Sequence, residues 1–84
     1  MPRTEKEILK DFEKLGYEVI KDNDYIYLKQ HLNYINEVEE SKCIYINFKK
    51  KQYSCLNDFY KFEENVTMQE HKLLTDLFKI WRWL

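Results

Sequence analysis

Two Thr-x-x-Glu motifs, one near each end of the chain, fix where its helices begin. Thr4 with Glu7, and Thr67 with Glu70, can each form a capping box. In a capping box the threonine hydroxyl and the glutamate carboxylate each accept a hydrogen bond from the other residue's backbone N–H. Apolar residues follow both motifs at helical spacing. Since Gly16 can supply the left-handed residue that ends a helix, the sequence predicts helices over residues 5–15 and 68–82.

The residues between the two motifs are predicted to form strands. Tyr17–Lys21 and residues 25–30 are rich in β-branched and aromatic side chains, and the Asp-Asn-Asp run at 22–24 favours a turn, so we interpret them as a hairpin. Whether Tyr17–Lys21 forms a full strand is left open. Residues 32–41 lose the alternation of apolar and polar side chains and become acidic, which indicates a loop.

A further strand is predicted over residues 43–48, where apolar and polar side chains alternate. The connection at 49–52 contains no glycine or asparagine, which disfavours a two-residue turn. A four-residue loop would pair Ile46 with Cys55 in the following strand. This register places Cys43 and Cys55 on opposite faces of the sheet, because side chains alternate along a strand.

The predicted fold is α+β: a helix, an antiparallel meander of three to four strands, and a C-terminal helix, with both helices on one face of the sheet. The 84 residues form a single domain, 1–84, and the 44% of hydrophobic residues suffices for a packed core. The N-terminus is charged, and no apolar run approaches the roughly 18 residues that span a bilayer. We therefore expect a cytoplasmic protein with no membrane partner.

No side chains are spaced for catalysis or metal binding. The cysteines and histidines, which are Cys43, Cys55, His31 and His71, match no zinc-ligand spacing, and no histidine adjoins a cysteine as a nucleophile would need. The single glycine excludes glycine-rich phosphate loops. We expect a protein that is not an enzyme, holds no metal or cofactor, and uses both cysteines as small hydrophobic residues.

The face of the sheet that points away from the helices is the first candidate site. Alternation sends polar and amphipathic side chains to this face, and five of them make up the candidate site: Tyr25, Tyr27, Lys29, Tyr45 and Asn47. Tyrosine offers a large rigid contact area with a polar tip, as protein-recognition surfaces do, although it is also a favourable residue on a half-exposed strand. We predict that these residues bind a protein partner, with a homodimer left open.

A compact basic loop is the alternative candidate site. Lys49, Lys50 and Lys51 are flanked by Phe48 and Tyr53, and basic loops next to aromatic side chains can hold phosphates while bases stack. The formal net charge of −1 gives no general attraction to nucleic acid. A nucleic-acid-binding module using Lys49, Lys50 and Lys51 is therefore the second hypothesis.

Three segments give the chain a likeness to known proteins: Lys14-Leu-Gly-Tyr17, Val66-Thr-Met-Gln-Glu70 and Trp81-Arg-Trp83. With a strand meander between two capped helices, they resemble short phage and prophage proteins of Gram-positive bacteria. The resemblance implies a phage accessory protein of the bacterial host cell that binds a host or phage protein. Inhibition of a host defence factor is one action that it implies, and it assigns no site residues.

Overall fold

A computed structural model describes residues 3–84, which form two helices and four strands. The elements are α1 (Glu5–Lys14), β1 (Tyr17–Lys21), β2 (Tyr25–Ile35), β3 (Val38–Asn47), β4 (Gln52–Asn57) and α2 (Met68–Ile80). The strands form one antiparallel sheet in the order β1-β2-β3-β4. The α+β fold predicted from the sequence is confirmed, and Tyr17–Lys21 is a full strand.

Both predicted capping boxes are formed. In each, the threonine side chain accepts from the glutamate backbone N–H and the glutamate carboxylate accepts from the threonine backbone N–H, for Thr4 with Glu7 and for Thr67 with Glu70. Gly16 follows α1 with a φ of +97°. A positive φ carries no steric penalty at glycine, and this is why the chain can leave the helix there and enter β1 directly.

The end of α2 uses a Schellman motif without glycine. Arg82 has a φ of +60°, its N–H donates to the Lys79 carbonyl at 3.1 Å, and the Trp83 N–H donates to the Phe78 carbonyl at 2.8 Å. The Trp83 and Phe78 rings stack with centroids 5.1 Å apart, which is the hydrophobic contact typical of this motif. The motif ends α2 at Ile80, two residues before the predicted end.

The core lies between the sheet and the two helices, which pack on the same sheet face. The apolar core-face residues of β1 to β4 join residues of both helices in one buried cluster: Ile8, Leu9, Phe12, Tyr17, Ile26, Leu28, Ile44, Ile46, Cys55, Leu73, Leu74, Leu77 and Phe78. Phe12, Ile46 and Leu74 are almost fully buried, and Trp81 packs against the cluster with part of its ring exposed.

The interpretation of residues 32–41 as a loop is wrong. β2 and β3 continue as a two-stranded ribbon in which Ile35 pairs with Val38, and Asn36 and Glu37 form the turn with φ of 49° and 68°. Left-handed values at both central residues fit a type I′ turn, whose twist suits a hairpin. The pairing register shifts at Leu32, so this residue is a β-bulge. We call residues 31–41 the β-arm.

The predicted pairing of Ile46 with Cys55 is also wrong. Cys55 pairs with Ile44, two positions earlier. The turn is formed by residues 48–51, where Lys51 adopts a φ of 53°, instead of by residues 49–52. Because the shift is an even number of residues, every side chain stays on its predicted face of the sheet.

Candidate functional site

The sheet face opposite the helices, here called the open face, brings all five predicted residues together. Across β2 and β3, Tyr25 pairs with Asn47, Tyr27 with Tyr45, and Lys29 with Cys43. Directly opposed residues of an antiparallel pair have their Cβ atoms about 4.5–5.5 Å apart, so these side chains are neighbours. They form one contiguous surface on two strands of the sheet.

A stacked pair of tyrosines occupies the centre of the open face. The Tyr27 and Tyr45 rings lie 4.7 Å apart at an interplanar angle of 17°, and both are half-buried. The Tyr27 hydroxyl lies 3.0 Å from Cys43 Sγ, and burial together with this hydrogen bond raises the pKa of Tyr27. Tyr25, beside the pair, is 42% exposed. The Tyr27 and Tyr45 rings are therefore held in place by contacts within the protein.

Asp58 forms the rim of a depression next to these rings. An open depression of about 470 Å³ is lined by Tyr25, Tyr27, Tyr45, Ile46, Asn47 and Asp58. Asp58 follows β4, and its N–H donates to the Ser41 carbonyl at 2.8 Å, which fixes it against the sheet. The volume is within the range of side-chain and small-ligand pockets. None of the lining residues is basic.

Asn57 organises the loop that carries Asp58. Its side chain is fully buried, and its Oδ1 accepts from the backbone N–H groups of Phe59 and Tyr60, both at 2.9 Å. Its Nδ2 donates to Glu40 at 2.7 Å. The role of Asn57 could not be predicted from the sequence, because it depends on a carboxylate of β3 that is distant along the chain. Within this loop, the ring of Phe62 stacks with that of Tyr60.

The two predicted edge residues, Lys29 and Asn47, are engaged within the molecule. Lys29 Nζ lies 2.5 Å from a carboxylate oxygen of Glu39, and this contact raises the pKa of Lys29. His31 Nδ1 lies 3.0 Å from the other oxygen of Glu39. Asn47 Oδ1 accepts from the Lys50 N–H at 3.0 Å. The tyrosines, more than these two residues, are available to a partner.

The alternative site, the lysine loop of Lys49, Lys50 and Lys51, projects from the end of β3. All three side chains are exposed, and none makes a salt bridge within residues 3–84. The flanking Phe48 ring packs edge-on against Trp81, with centroids 4.8 Å apart, and so is used internally. Tyr53 is partly exposed and is therefore the flanking ring that a base could reach.

The cysteines lie on opposite faces of the sheet, as predicted. Cys43 is buried on the open face and Cys55 in the core, and both are unbridged. Burial raises the pKa of both thiols, that of Cys55 to about 11, so neither is a thiolate nucleophile at neutral pH. In the part of the chain that is described, no three His, Cys, Asp or Glu side chains are grouped to hold a metal ion.

Sequence reasoning missed a buried polar cluster on the helix side of the sheet. Glu70 accepts from Lys42 Nζ at 2.7 Å, from the Tyr17 hydroxyl at 2.6 Å and from the Thr67 N–H at 3.0 Å. Burial alone would raise the pKa of Glu70, but these three donors together lower it. The cluster joins β1, β3 and α2 through Tyr17, Lys42 and Glu70. Its signal in the sequence is a lysine at a core-facing position of β3.

The β-arm carries three further exposed apolar side chains of the sheet. Leu32, Tyr34 and Val38 are each at least 44% exposed, and Tyr34 reaches 65%. The bulge at Leu32 breaks the regular pairing of this edge, which is a common way to discourage association through strand edges. The arm is thus a separate surface from the depression at the other end of β2 and β3.

Comparisons of the chain with known protein families, curated proteins and solved structures find no match. Among the described residues, neither helix has the length and apolar character needed to cross a bilayer.

Proposed function

We propose that this chain is a protein-binding module that acts through its open face and catalyses no reaction of its own. The observation that carries the proposal is the stacked Tyr27–Tyr45 pair beside the exposed Tyr25. Two ordered rings next to a third give a partner a large contact area at a small loss of side-chain entropy. Truncating a central aromatic anchor of such a surface commonly costs about 2 kcal/mol or more of binding free energy.

The biological setting belongs to the same proposal. The likeness of the chain to short phage and prophage proteins supports a role as a phage accessory protein in the cytoplasm of a bacterial host. Its partner is then a host or phage protein, and inhibition of a host defence factor is the specific action proposed. A module with no catalytic side chains acts by occupying a surface, so its effect requires a stable complex.

The test is affinity capture from a bacterial lysate with quantitative mass spectrometry. A Tyr25→Ala, Tyr45→Ala variant keeps the Tyr27–Cys43 contact and is expected to lose the captured protein while its circular dichroism spectrum is unchanged. Tyr34→Ala removes an exposed tyrosine of the β-arm and is the matched control, expected to capture normally. If the control loses the partner and the face variant keeps it, the binding surface is the β-arm and the proposal is wrong.

Nucleic-acid binding by the lysine loop is the second candidate, favoured by its three exposed lysines, which form no ion pair among the described residues. Changing Lys49, Lys50 and Lys51 to glutamine would abolish such binding and leave capture of a protein partner unchanged. Three phosphate contacts on duplex DNA give a slope of about −2.7 for log affinity against log salt. If the chain binds an oligonucleotide with that slope and the glutamine variant does not, nucleic-acid binding is favoured over protein binding.

A further inference from the structure

The depression on the open face combines aromatic rings with a single carboxylate. Three tyrosines, Tyr25, Tyr27 and Tyr45, line it, and Asp58 is its one acidic residue. We infer that this depression binds an arginine side chain of the partner protein. The inference rests on the proposed function, because it names the chemical group that the open face recognises.

Tyrosine rings attract cations through the negative electrostatic potential of their faces. A guanidinium or ammonium group within about 6 Å of a ring centroid is stabilised by this attraction even at an exposed site. None of the residues that line the depression is basic, and Lys61, the cation that pairs with Asp58, lies outside its lining. A cation of the partner protein would complement the ring faces and the carboxylate.

Asp58 can exchange its present partner for a cation in the depression. Its carboxylate contacts Lys61 Nζ at 3.0 Å, and the Lys61 side chain is 69% exposed. An exposed ion pair between residues three apart contributes little stability, so little is lost when the carboxylate turns to another donor. The backbone of Asp58 stays fixed by its bond to Ser41 during that exchange.

Arginine suits this arrangement better than lysine. Its planar guanidinium stacks on an aromatic ring while its N–H groups donate to a carboxylate in the same plane. Lysine carries a compact, strongly hydrated charge that does not stack. An open ring face beside a carboxylate therefore favours the flat cation over the compact one.

The test uses N-acetyl-arginine amide as the probe and heteronuclear NMR titration as the measurement. N-acetyl-citrulline amide has the same shape without the charge, and N-acetyl-lysine amide has the charge without the planar group. We expect the arginine probe to shift backbone amides of Tyr25, Tyr45 and Asp58, with weaker shifts from the other two probes. Added salt should weaken the arginine effect, since the contact is partly electrostatic and solvent-exposed.

Two variants and two controls locate the site. Asp58→Asn and Tyr25→Leu are each expected to weaken the arginine probe about two- to fivefold, which corresponds to roughly 0.5–1 kcal/mol. Asp76→Asn on α2 and Tyr34→Leu on the β-arm should leave the affinity unchanged. Tyr25 is partly exposed, so its replacement should not unfold the domain, and the thermal midpoint checks this directly.

Several results would overturn the inference: equal shifts from citrulline, equal affinity for lysine, shifts centred on another surface, or no effect of Asp58→Asn. Each of these refutes the arginine site alone. The proposed function fails separately, when the Tyr25→Ala, Tyr45→Ala variant still captures the partner. The two failures can be told apart. If that variant loses the partner but the arginine probe causes no chemical-shift changes, the open face is the binding surface and arginine is not the group it binds.

Discussion

Replacing Glu70 with glutamine is expected to destabilise the domain by about 3–5 kcal/mol at neutral pH. The Glu70 side chain is 4% exposed and lies against a Lys42 side chain that is 8% exposed. Glutamine can still accept from Tyr17 or the Thr67 N–H, but it brings no charge to the buried ammonium. The cost is that of leaving one charge buried without its counter-ion, and it is a large fraction of the 5–15 kcal/mol typical of a domain.

The assay is denaturant unfolding followed by tryptophan fluorescence, with a double-mutant cycle to isolate the pair. Lys42→Met, Glu70→Gln removes both charges at once, and we expect it to recover most of the stability lost in Glu70→Gln alone. Recovery shows that the charge, and not the packing of the side chain, decides the effect. A loss below about 1 kcal/mol in Glu70→Gln would refute the reasoning, because it would mean that the cluster is hydrated in solution.

The same residue sets a dependence of stability on pH. The donors around Glu70 hold its pKa below the ordinary value of 4.5, so the folded state favours the carboxylate. The stabilisation is complete above the unfolded pKa and is lost as the pH falls from about 4.5 through the lowered folded pKa. Glu70→Gln lacks this contribution, and its stability should therefore fall less steeply than that of the wild type over the same acid range.

Three further predictions concern the core, the end of α2 and the thiols. Ile46→Ala should cost about 2–5 kcal/mol of unfolding free energy in denaturant titrations, and a loss under about 1 kcal/mol would mean that this strand face is not the core. Arg82→Gly should raise the unfolding free energy by about 0.5–1 kcal/mol, because it relieves a left-handed φ; Arg82→Ala should not, and equal effects would contradict the Schellman geometry. Cys43 and Cys55 should react with a thiol reagent near neutral pH only after unfolding, because burial raises both pKa values; fast labelling of the native protein would contradict their burial.

The helices could be predicted from the sequence because their ends are encoded locally. Each capping box lies within four residues, and Gly16 is the one glycine of the chain. The residues of each strand that face the core could be predicted equally well, since alternation depends only on neighbouring positions. The end of α2 was placed two residues too far because Arg82 adopts a conformation that usually indicates glycine.

The β-arm was missed for two physical reasons. The bulge at Leu32 shifts the side-chain alternation by one position, so the strand pattern is interrupted in the sequence. The turn uses Asn36 and Glu37, and a glutamate with a positive φ does not match the Asn-Gly pattern that signals a type I′ turn. The two-residue error in pairing β3 with β4 has a similar origin, since Lys51 takes the left-handed conformation without being glycine or asparagine.

Part of the candidate site could be predicted from the sequence, and part could not. Alternation placed the tyrosines on one face, and the structure brings them together as predicted. The contribution of Asp58 could not be predicted, because it depends on how Asn57 folds the loop after β4 back against Ser41. The engagement of Lys29 likewise depends on Glu39, a residue of the β-arm that the sequence pattern did not assign to a strand.

The central claim, that the open face is the binding surface, is tested most directly by hydroxyl-radical footprinting of the chain with and without its captured partner. Tyr25 is 42% exposed in the free protein, whereas Tyr34 on the β-arm and Tyr60 on the loop after β4 are 65% and 55% exposed. We predict that oxidation of Tyr25 is suppressed in the complex while Tyr34 remains as reactive as in the free chain. Unchanged oxidation of Tyr25, with protection of Tyr34 instead, would contradict the account.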